Sequence, residues 1–278
     1  MVHKLIRKIL GKRLKVGLAL GGGGAAGFAH IGVIKVLMEN DIPIDFVAGT
    51  SAGAIVGAYY SLYKEVNSLE KVVTELTKRQ ILGLFGLNRP SLSLFSENKF
   101  ESFLTGLLDE KDFSDLKVPL AVTAVDLEKS EEVIFYKGNL VDAVMASISV
   151  PGIFPVKRIS NRLLVDGGIL NPVPISITKQ MGADIVIAVD LSYPDKIKLK
   201  NLNSISVISR TLDIFMKQSM ELRNKDLSHA VVIRPRFKEN ASSVNVFRAK
   251  EYIKIGEKAT KEMLPEIKKL RKKFRKFG

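Results

Sequence analysis

Apolar residues in the first part of the chain alternate between short runs and helical spacing. Residues 15–20 and residues 44–48 form two short apolar runs. Residues 25–39 carry apolar side chains three or four positions apart, and residues 54–63 are rich in small and apolar side chains. Spacing of this kind is typical of helices that pack on a sheet. The repeated order of strand, loop and helix predicts a parallel sheet with right-handed crossovers.

The rest of the chain continues this alternation. Further strands are expected at residues 118–126, 133–136, 162–165, 184–190 and 230–234, and helices at residues 139–147, 175–181, 206–222 and 249–274. Residues 81–96 stay apolar but lose any period, and Gly83, Gly86 and Pro90 interrupt them. That combination predicts an exposed lid.

Positive charge is concentrated at the two ends of the chain. The formal net charge is +14 over 278 residues; six Lys and Arg residues lie in residues 1–15 and seven lie in residues 267–278. We expect one α/β domain over residues 15–247, a basic leader at 1–14, and a basic helix at 248–278 that packs on the domain or extends from it. Basic clusters favour anionic surfaces, so peripheral contact with an anionic membrane is expected, with a merely solvated helix face as the alternative.

The lack of cysteine and of a long apolar run indicates the cellular compartment to expect. The chain has no cysteine, which excludes disulfides and a cysteine nucleophile and fits a reducing compartment. No run reaches the roughly 18 apolar residues of a membrane span. Residues 16–29 follow a basic stretch as a secretory signal would, but cleavage there would delete the first strand and its glycine loop. We expect a cytoplasmic protein, peripheral at the inner membrane face.

A candidate nucleophile lies in the second tight turn. Gly49-Thr50-Ser51-Ala52-Gly53 is a G-x-S-x-G sequence between a predicted strand and a predicted helix, the context in which this motif forms a nucleophile elbow. Gly49 and Gly53 remove β-carbons that would clash around the sharp turn. The serine then projects at a helix N-terminus, where the macrodipole stabilises negative charge. The alternative is a tight turn with a capping serine.

The first glycine loop suits the same chemistry. The run from Gly21 to Gly24, followed by Ala25, Ala26 and Gly27, lets several backbone N–H groups approach one anionic atom, as an acyl-transfer enzyme requires. The loop also matches the dinucleotide fingerprint G-x-G-x-x-G. That interpretation expects an acid at the end of the second strand, whereas Asp45 lies at its start. A close-packed turn is the remaining alternative.

The base for Ser51 is expected to be a carboxylate rather than a histidine. His3 lies in the basic leader, His30 is expected on a helix face, and His229 precedes a predicted strand. The residues Asp126, Asp166 and Asp190 each close a predicted strand and are expected at one rim of the sheet. Only Asp166 is followed by two glycines, Gly167 and Gly168, which permit a close approach to the serine. Its basicity requires a partly desolvated site.

The glycine-rich loop, G-x-S-x-G and Asp-Gly-Gly, in that order, strongly resemble the bacterial patatin-like phospholipase family over roughly residues 15–190. The resemblance implies a three-layer α/β/α fold with a mostly parallel central sheet, and a Ser-Asp dyad without metal or organic cofactor. It implies Ser51 as nucleophile, Asp166 as base, and the amides of Gly22, Gly23 and Gly24 as the oxyanion hole. Residues 146–155 also resemble a family segment and are expected to form a structural turn near the dyad. Ala26 departs from the family, which commonly has Arg or Lys there.

We therefore interpret the chain as a serine acyl hydrolase of the phospholipase A or lysophospholipase type, acting on phospholipid or other acyl-ester substrates. Gly27, Gly49, Gly53, Gly167 and Gly168 are expected to support the two motifs. The alternative is a catalytically weak lipid-binding or regulatory protein on the same fold, which Ala26 favours. Only charge favours a nucleic-acid binder, and nothing marks a peptide-binding groove.

Overall fold

A single sheet organises the part of the chain that the computed structural model describes, which is residues 13–84, 97–191, 204–223, 230–237 and 246–276. The strands within these ranges are β1 (Val16–Leu20), β2 (Phe46–Thr50), β3 (Leu120–Asp126), β4 (Glu131–Phe135), β5 (Lys157–Ile159), β6 (Arg162–Asp166), β7 (Ile185–Val189) and β8 (Ala230–Ile233). Their order is β5-β6-β3-β2-β1-β7-β8, and β4 also pairs with β3.

The sheet is mixed, with a parallel centre. The strands β3, β2, β1, β7 and β8 pair in parallel, which confirms the expected mostly parallel arrangement. The strands β4, β5 and β6 run antiparallel to their neighbours. Short turns join β3 to β4 and β5 to β6, and Ser130 and Ser160 adopt a positive φ in them. A tight hairpin can join only antiparallel strands, which explains this departure from a fully parallel sheet.

Helices cover both faces of the sheet. They are α1 (Ala29–Glu39), α2 (Ala52–Tyr63), α3 (Asn67–Glu75), α4 (Lys78–Leu84), α5 (Glu97–Leu108), α6 (Leu140–Ile148), α7 (Ile175–Gln180), α8 (Ser204–Arg223) and α9 (Ala249–Lys276). Alternate strand residues face opposite sides: Leu18 and Leu20 join the main core with α1, α2 and α9, whereas Ala19 packs with Ile175 of α7. The expected three-layer α/β/α fold is confirmed.

Most element boundaries agree with the sequence pattern, but β2 was placed too early. Residues 44–48 were expected, whereas β2 continues to Thr50 because Gly49 and Thr50 pair with β3. The side chain of Asp45 precedes the strand and accepts hydrogen bonds from Arg13 and from the amide of Val16. Residues 64–80 and 97–108, for which no element was expected, contain α3 and α5 and part of α4.

Helix α9 packs closely on α1. A β-carbon on Gly32 would lie 2.0 Å from the carbonyl oxygen of Ile253, and one on Gly256 would lie 2.0 Å from that of Ala29. Only glycine allows this backbone contact. Residues 248–278 therefore pack on the α/β body as far as they are described, although the expected division into leader, domain and helix stays a prediction. No described helix is long and apolar enough to cross a membrane.

Candidate active site

The C-terminal ends of strands β2 and β6 meet along one edge of β3. Ser51 directly follows β2, and Asp166 is the last residue of β6. Strand β4 occupies the other edge, since it pairs with residues 122–126. Strand β2 pairs in parallel with the first half of β3, ending with Thr50 opposite Thr123. Strand β6 pairs antiparallel with the second half and places Asp166 opposite Ala124, the next residue. The two strands therefore converge head-on, which brings Ser51 next to Asp166.

Ser51 adopts a strained elbow conformation. Its φ is 54° and its ψ is −124°, which lies outside the left-handed helical region that other residues tolerate. A β-carbon on Gly49 would lie 2.6 Å from the carbonyl oxygen of Gly53, and one on Gly53 would lie 2.2 Å from that of Leu20. Both glycines are therefore required. The elbow places the serine directly before α2.

Asp166 is a buried carboxyl that faces this serine. Its Oδ1 atom accepts a hydrogen bond from the amide of Gly168 at 2.7 Å. Its Oδ2 atom has no hydrogen bond of normal geometry within the described residues. Burial raises the pKa of Asp166 to about 6, while interactions with the Ser51 hydroxyl and the Gly168 amide oppose the rise. The carboxylate is therefore a stronger base than an exposed aspartate and is still largely ionised at neutral pH.

The glycines after Asp166 allow close packing on two sides. A β-carbon on Gly167 would lie 2.3 Å from the hydroxyl oxygen of Thr123, and one on Gly168 would lie 2.0 Å from Cε of Met216 in α8. The first contact seats the turn on β3. The second places α8 directly over the Asp166 turn, a neighbour that the sequence did not indicate.

Two serines at the end of α6 hold both candidate residues. The hydroxyl oxygen of Ser147 accepts a hydrogen bond from the amide of Ser51 at 2.8 Å. The carbonyl oxygen of Ser149 accepts one from the amide of Asp166 at 3.1 Å. Both serines are buried. Residues 146–155, expected to form a structural turn near the dyad, thus fix the backbone on each side of it.

The glycine loop holds the three amides that are expected to form the oxyanion hole, and they differ in their hydrogen bonding. Gly22 donates its N–H to the carbonyl of Pro172 at 2.9 Å, so in this conformation that donor is already used. Gly24 begins a short 3-10 helix, Gly24–Phe28, and Ala52 begins α2. Amides at helix starts have no acceptor inside their own helix. Gly23, Gly24 and Ala52 all line the same pocket as Ser51 and Asp166.

Gly27 and Ala26 differ in their relation to the site. A β-carbon on Gly27 would lie 2.4 Å from that of Ala52, so glycine is needed for the loop to approach the elbow. Ala26 is completely buried in the main core and is not among the residues that line the pocket. Its departure from the family pattern therefore leaves the contacts of Ser51 and Asp166 intact.

An apolar pocket of about 220 Å³ opens onto Ser51 and Asp166. Apart from these two residues and Asp213, its walls are glycine or apolar side chains, contributed by α1 to α6, α8 and the loops beside them. They include Ile55, Leu69, Ile81, Leu84, Phe100, Phe103, Phe154 and Met216. Ile81 and Leu84 belong to the expected lid; residues 85–96 of that lid lie outside the described residues. No cluster of three metal-ligating side chains occurs among the described residues.

His30 is a buried side chain that holds the glycine loop. It is fully buried, and its Nε2 donates to the carbonyl of Gly21 at 2.8 Å. Burial lowers the pKa of His30 to about 4, so the ring is neutral at physiological pH. His3 and His229 lie outside the described residues. The structure agrees with the expectation that His30 packs rather than reacts.

Asp126 and Asp190 are engaged elsewhere at the sheet edge. Asp126 accepts hydrogen bonds from the amides of Glu128 and Lys129 and thereby closes the turn after β3. Asp190 pairs with Arg234 at 3.0 Å. The expectation that the three aspartates lie at one rim assumed that their strands all run in the same direction. That assumption was wrong, because β6 is antiparallel to β3. Asp166 reaches the serine from the opposite strand direction.

Ser147, Ala52 and Asp213 were not singled out from the sequence as site residues. Ser147 is a hydroxyl in a helix, and Ala52 acts through its backbone, so neither carries a chemical signature. Asp213 lies on the pocket side of α8, where burial raises its pKa to about 6 and Arg210 opposes the rise. Asp213 lies three residues before Met216, which also lines the pocket. This spacing, which places both side chains on one side of a helix, was the one available signal in the sequence.

Comparison with known proteins gives a consistent result. The family model of the patatin-like phospholipases matches residues 18–179. An uncharacterized NTE family protein of Mycobacterium tuberculosis is 35% identical over 178 residues, which cover 64% of this chain and 49% of that protein. Patatin-like phospholipase domain-containing protein 7 of Rattus norvegicus is 32% identical over 191 residues, covering 67% of this chain and 14% of that protein.

Lysophospholipase NTE1 of Pyricularia oryzae is 34% identical over 196 residues, covering 69% of this chain and 13% of that protein. The chain thus spans about half of the mycobacterial relative and a much smaller part of the two eukaryotic ones. Among solved structures, VipD of Legionella pneumophila aligns over 91% of this chain and 67% of its own, with a TM-score of 0.49 and 14% identity. Because the family model matches more than half of the chain, this protein belongs to the patatin-like phospholipase family.

Proposed function

We propose that this protein is a serine acyl hydrolase that cleaves fatty-acyl esters of membrane lipids, of the phospholipase A or lysophospholipase type. The observation that carries the proposal is the convergence of Ser51 and Asp166 in one apolar pocket. A strained serine, a buried carboxyl with a pKa of about 6 and two helix-start amides lie together there. Family membership and the lysophospholipase and phospholipase names of the relatives support the reaction class.

In the proposed first step, Ser51 attacks the ester carbonyl while Asp166 takes the proton from its hydroxyl. The Ser147 hydroxyl holds the amide of Ser51, which fixes the elbow during attack. The oxyanion is stabilised by the amides of Gly24 and Ala52, both at helix starts; a role for Gly22 and Gly23 stays a prediction. Losing one such donor typically costs roughly 3 to 4 kcal/mol of transition-state stabilisation.

The remaining steps release the alcohol and then the fatty acid. The protonated Asp166 gives its proton to the leaving alcohol, the lysolipid or glycerol derivative, and an acyl-serine ester remains. Water then attacks this ester while Asp166 takes its proton; Asp166 returns that proton to the leaving Ser51 oxygen, which regenerates the hydroxyl as the fatty acid is released. No metal or organic cofactor takes part in this scheme. The apolar walls around Phe100 and Phe154 accommodate the acyl chain.

The test compares wild type with Ser51→Ala and Asp166→Asn on p-nitrophenyl butyrate and on lysophosphatidylcholine, with fatty-acid release measured directly. Ser61→Ala is a matched control, since its hydroxyl is buried and has no partner among the described residues. Asp126→Asn is the matched control for the carboxyl. We expect turnover by wild type and both controls, and none by the two dyad variants.

Two results would contradict the proposal. Full activity of a folded Asp166→Asn would remove the base assignment. Binding of lipid vesicles by a wild-type protein that hydrolyses no ester would instead favour the lipid-binding or regulatory alternative, which the buried Ala26 at a position that is commonly Arg or Lys in the family continues to motivate.

A further inference from the structure

Helix α8 has an inner face that lines the pocket and an outer face whose large apolar side chains are largely exposed. On the inner face, Leu212, Asp213 and Met216 line the pocket, and Ser219 donates a hydrogen bond to the carbonyl of Leu170 at 2.7 Å. On the opposite side, five large apolar side chains are between 45% and 64% exposed. These five define the outer face of α8: Val207, Ile208, Ile214, Phe215 and Leu222.

The outer face forms one continuous uncharged stripe. At 3.6 residues per turn its five members fall within an arc of about 120°. The two polar residues inside the arc are Thr211 and Gln218, and the Thr211 hydroxyl is satisfied by the carbonyl of Val207 at 2.9 Å. One border of the arc carries Glu221, Arg210 and Lys217. An apolar stripe on an amphipathic helix, with charged residues at its border, is typical of helices that lie in a membrane interface.

Such a stripe is unusual for a surface that faces only water. Elsewhere in the described chain, exposed large apolar residues include Leu127 and Tyr136, which lie at opposite ends of the β3–β4 hairpin. Isolated exposed residues of this kind are ordinary, whereas a contiguous patch marks an interaction site. The outer face of α8 therefore has the features of an interaction site.

We propose that the outer face of α8 docks onto an anionic lipid surface. The charge of the protein favours this partner, because the formal net charge is +14. An anionic bilayer offers both an apolar interior for Ile214 and Phe215 and phosphate groups that attract a cationic protein. Docking would bring the protein to its lipid substrate, so its biological purpose rests on the proposed function.

Docking in this orientation explains why the pocket and the stripe share one helix. Because Leu212 and Met216 line the pocket while Phe215 points away from it, α8 is the wall between the pocket and its surroundings. A helix with side chains is roughly 10 to 12 Å across. A bilayer on the outer face thus lies one helix diameter from the pocket that contains Ser51, and an acyl ester needs only a short path to reach it.

The experiment measures binding to vesicles of phosphatidylcholine with and without phosphatidylglycerol, by flotation. The variant is Ile214→Ser with Phe215→Ser, neither of which lines the pocket. The matched control is Leu127→Ser with Tyr136→Ser, which removes equally exposed apolar side chains from the hairpin. We expect the outer-face variant to need about tenfold more anionic lipid for half-maximal binding, and the control to bind like wild type.

Hydrolysis of p-nitrophenyl butyrate in solution is measured in parallel. The outer-face variant should keep this activity, because a dissolved ester needs no docking, and should lose activity on vesicles. If no variant hydrolyses any ester, the proposed function fails while the binding difference still decides the docking proposal.

Three outcomes would overturn the docking proposal. Equal vesicle binding by wild type and the outer-face variant is the first, and equal weakening by the hairpin control is the second. The third is a dimer of the wild-type protein, detected by sedimentation, that the outer-face variant abolishes, since the stripe would then contact a second copy of the chain.

Discussion

Replacing Asp166 by Asn should make the protein more stable while it removes the proposed base. The Asp166 carboxyl is completely buried, and burial raises its pKa from 3.8 to about 6. Asparagine has the same shape and keeps an oxygen that accepts the hydrogen bond from the amide of Gly168, but it never ionises. The folded variant therefore avoids a buried charge that the wild-type protein carries at neutral pH.

The size and sign of the effect follow from the two pKa values. In the unfolded chain the carboxyl titrates near 3.8, so between pH 3.8 and about 6 the folded state binds more protons. A rise in pH through this window therefore lowers the free energy of unfolding of wild type. The loss reaches about 3 kcal/mol at pH 7.5 and about half of that at pH 5. The advantage of Asp166→Asn should grow with pH by the same amounts.

Urea unfolding followed by circular dichroism at pH 5 and pH 7.5 measures this difference. The titration of His30 is common to both proteins and cancels in the comparison. Asp213→Asn is the control, since that carboxyl lines the same pocket and also has a pKa of about 6. It should gain a pH-dependent stability of similar size and keep its kcat. A stability gain of Asp166→Asn that does not change with pH, or a loss at pH 7.5, would refute the reasoning.

Three further measurements test the site. The kcat/KM of wild type should rise with pH through about 6, as Asp166 loses its proton, and level off above it; a profile that is flat from pH 5 to 8 would contradict the base assignment. Ser147→Ala should lower kcat roughly 10- to 100-fold with little change in KM, because the elbow loses its acceptor, whereas Ser61→Ala should not. His30→Gln should remove a loss of stability of about 3 kcal/mol that wild type suffers as the pH falls from 6.5 to about 4, since only the unfolded chain takes up the proton there; urea unfolding across that range would show it.

The pattern of apolar residues was sufficient to predict the central sheet, because each parallel strand is buried on both faces. β1 and β7 are completely buried and appear in the sequence as unbroken apolar runs. The helices α3 and α5 were missed although both carry buried apolar residues at helical spacing, Leu69 and Val73 in α3 and Leu104 and Leu108 in α5. The antiparallel direction of β6 relative to β3 results from a long-range pairing of residues 164–166 with residues 124–126 and has no local signal. The two hairpins were also hard to predict, because their turn residues, Ser130 and Ser160, adopt a positive φ without being glycine or asparagine.

The site residues were predictable to the extent that they depend on local backbone. The elbow at Ser51 and the turn after Asp166 both need glycine at fixed offsets, and those offsets are visible in the sequence. The hydrogen bonds that connect distant segments were not. Nothing local indicates that Ser147 accepts from an amide 96 residues away, or that Gly22 donates to Pro172 and is thereby occupied.

Two energetically unfavourable features, a strained backbone at Ser51 and a buried charge at Asp166, lie together in the pocket. Several residues have a positive φ, but Lys64, with φ 62° and ψ 31°, is an ordinary left-handed helix end. Ser51 is different, since its ψ of −124° leaves that region and costs on the order of 1 to 3 kcal/mol. The ionised Asp166 adds about 3 kcal/mol at neutral pH. Together these are a large share of a typical folding free energy of roughly 5 to 15 kcal/mol. A protein that needed only a stable turn at these positions would keep neither feature, and both lie at the one point where β2 and β6 meet, beside a pocket of the size and polarity that an acyl ester requires.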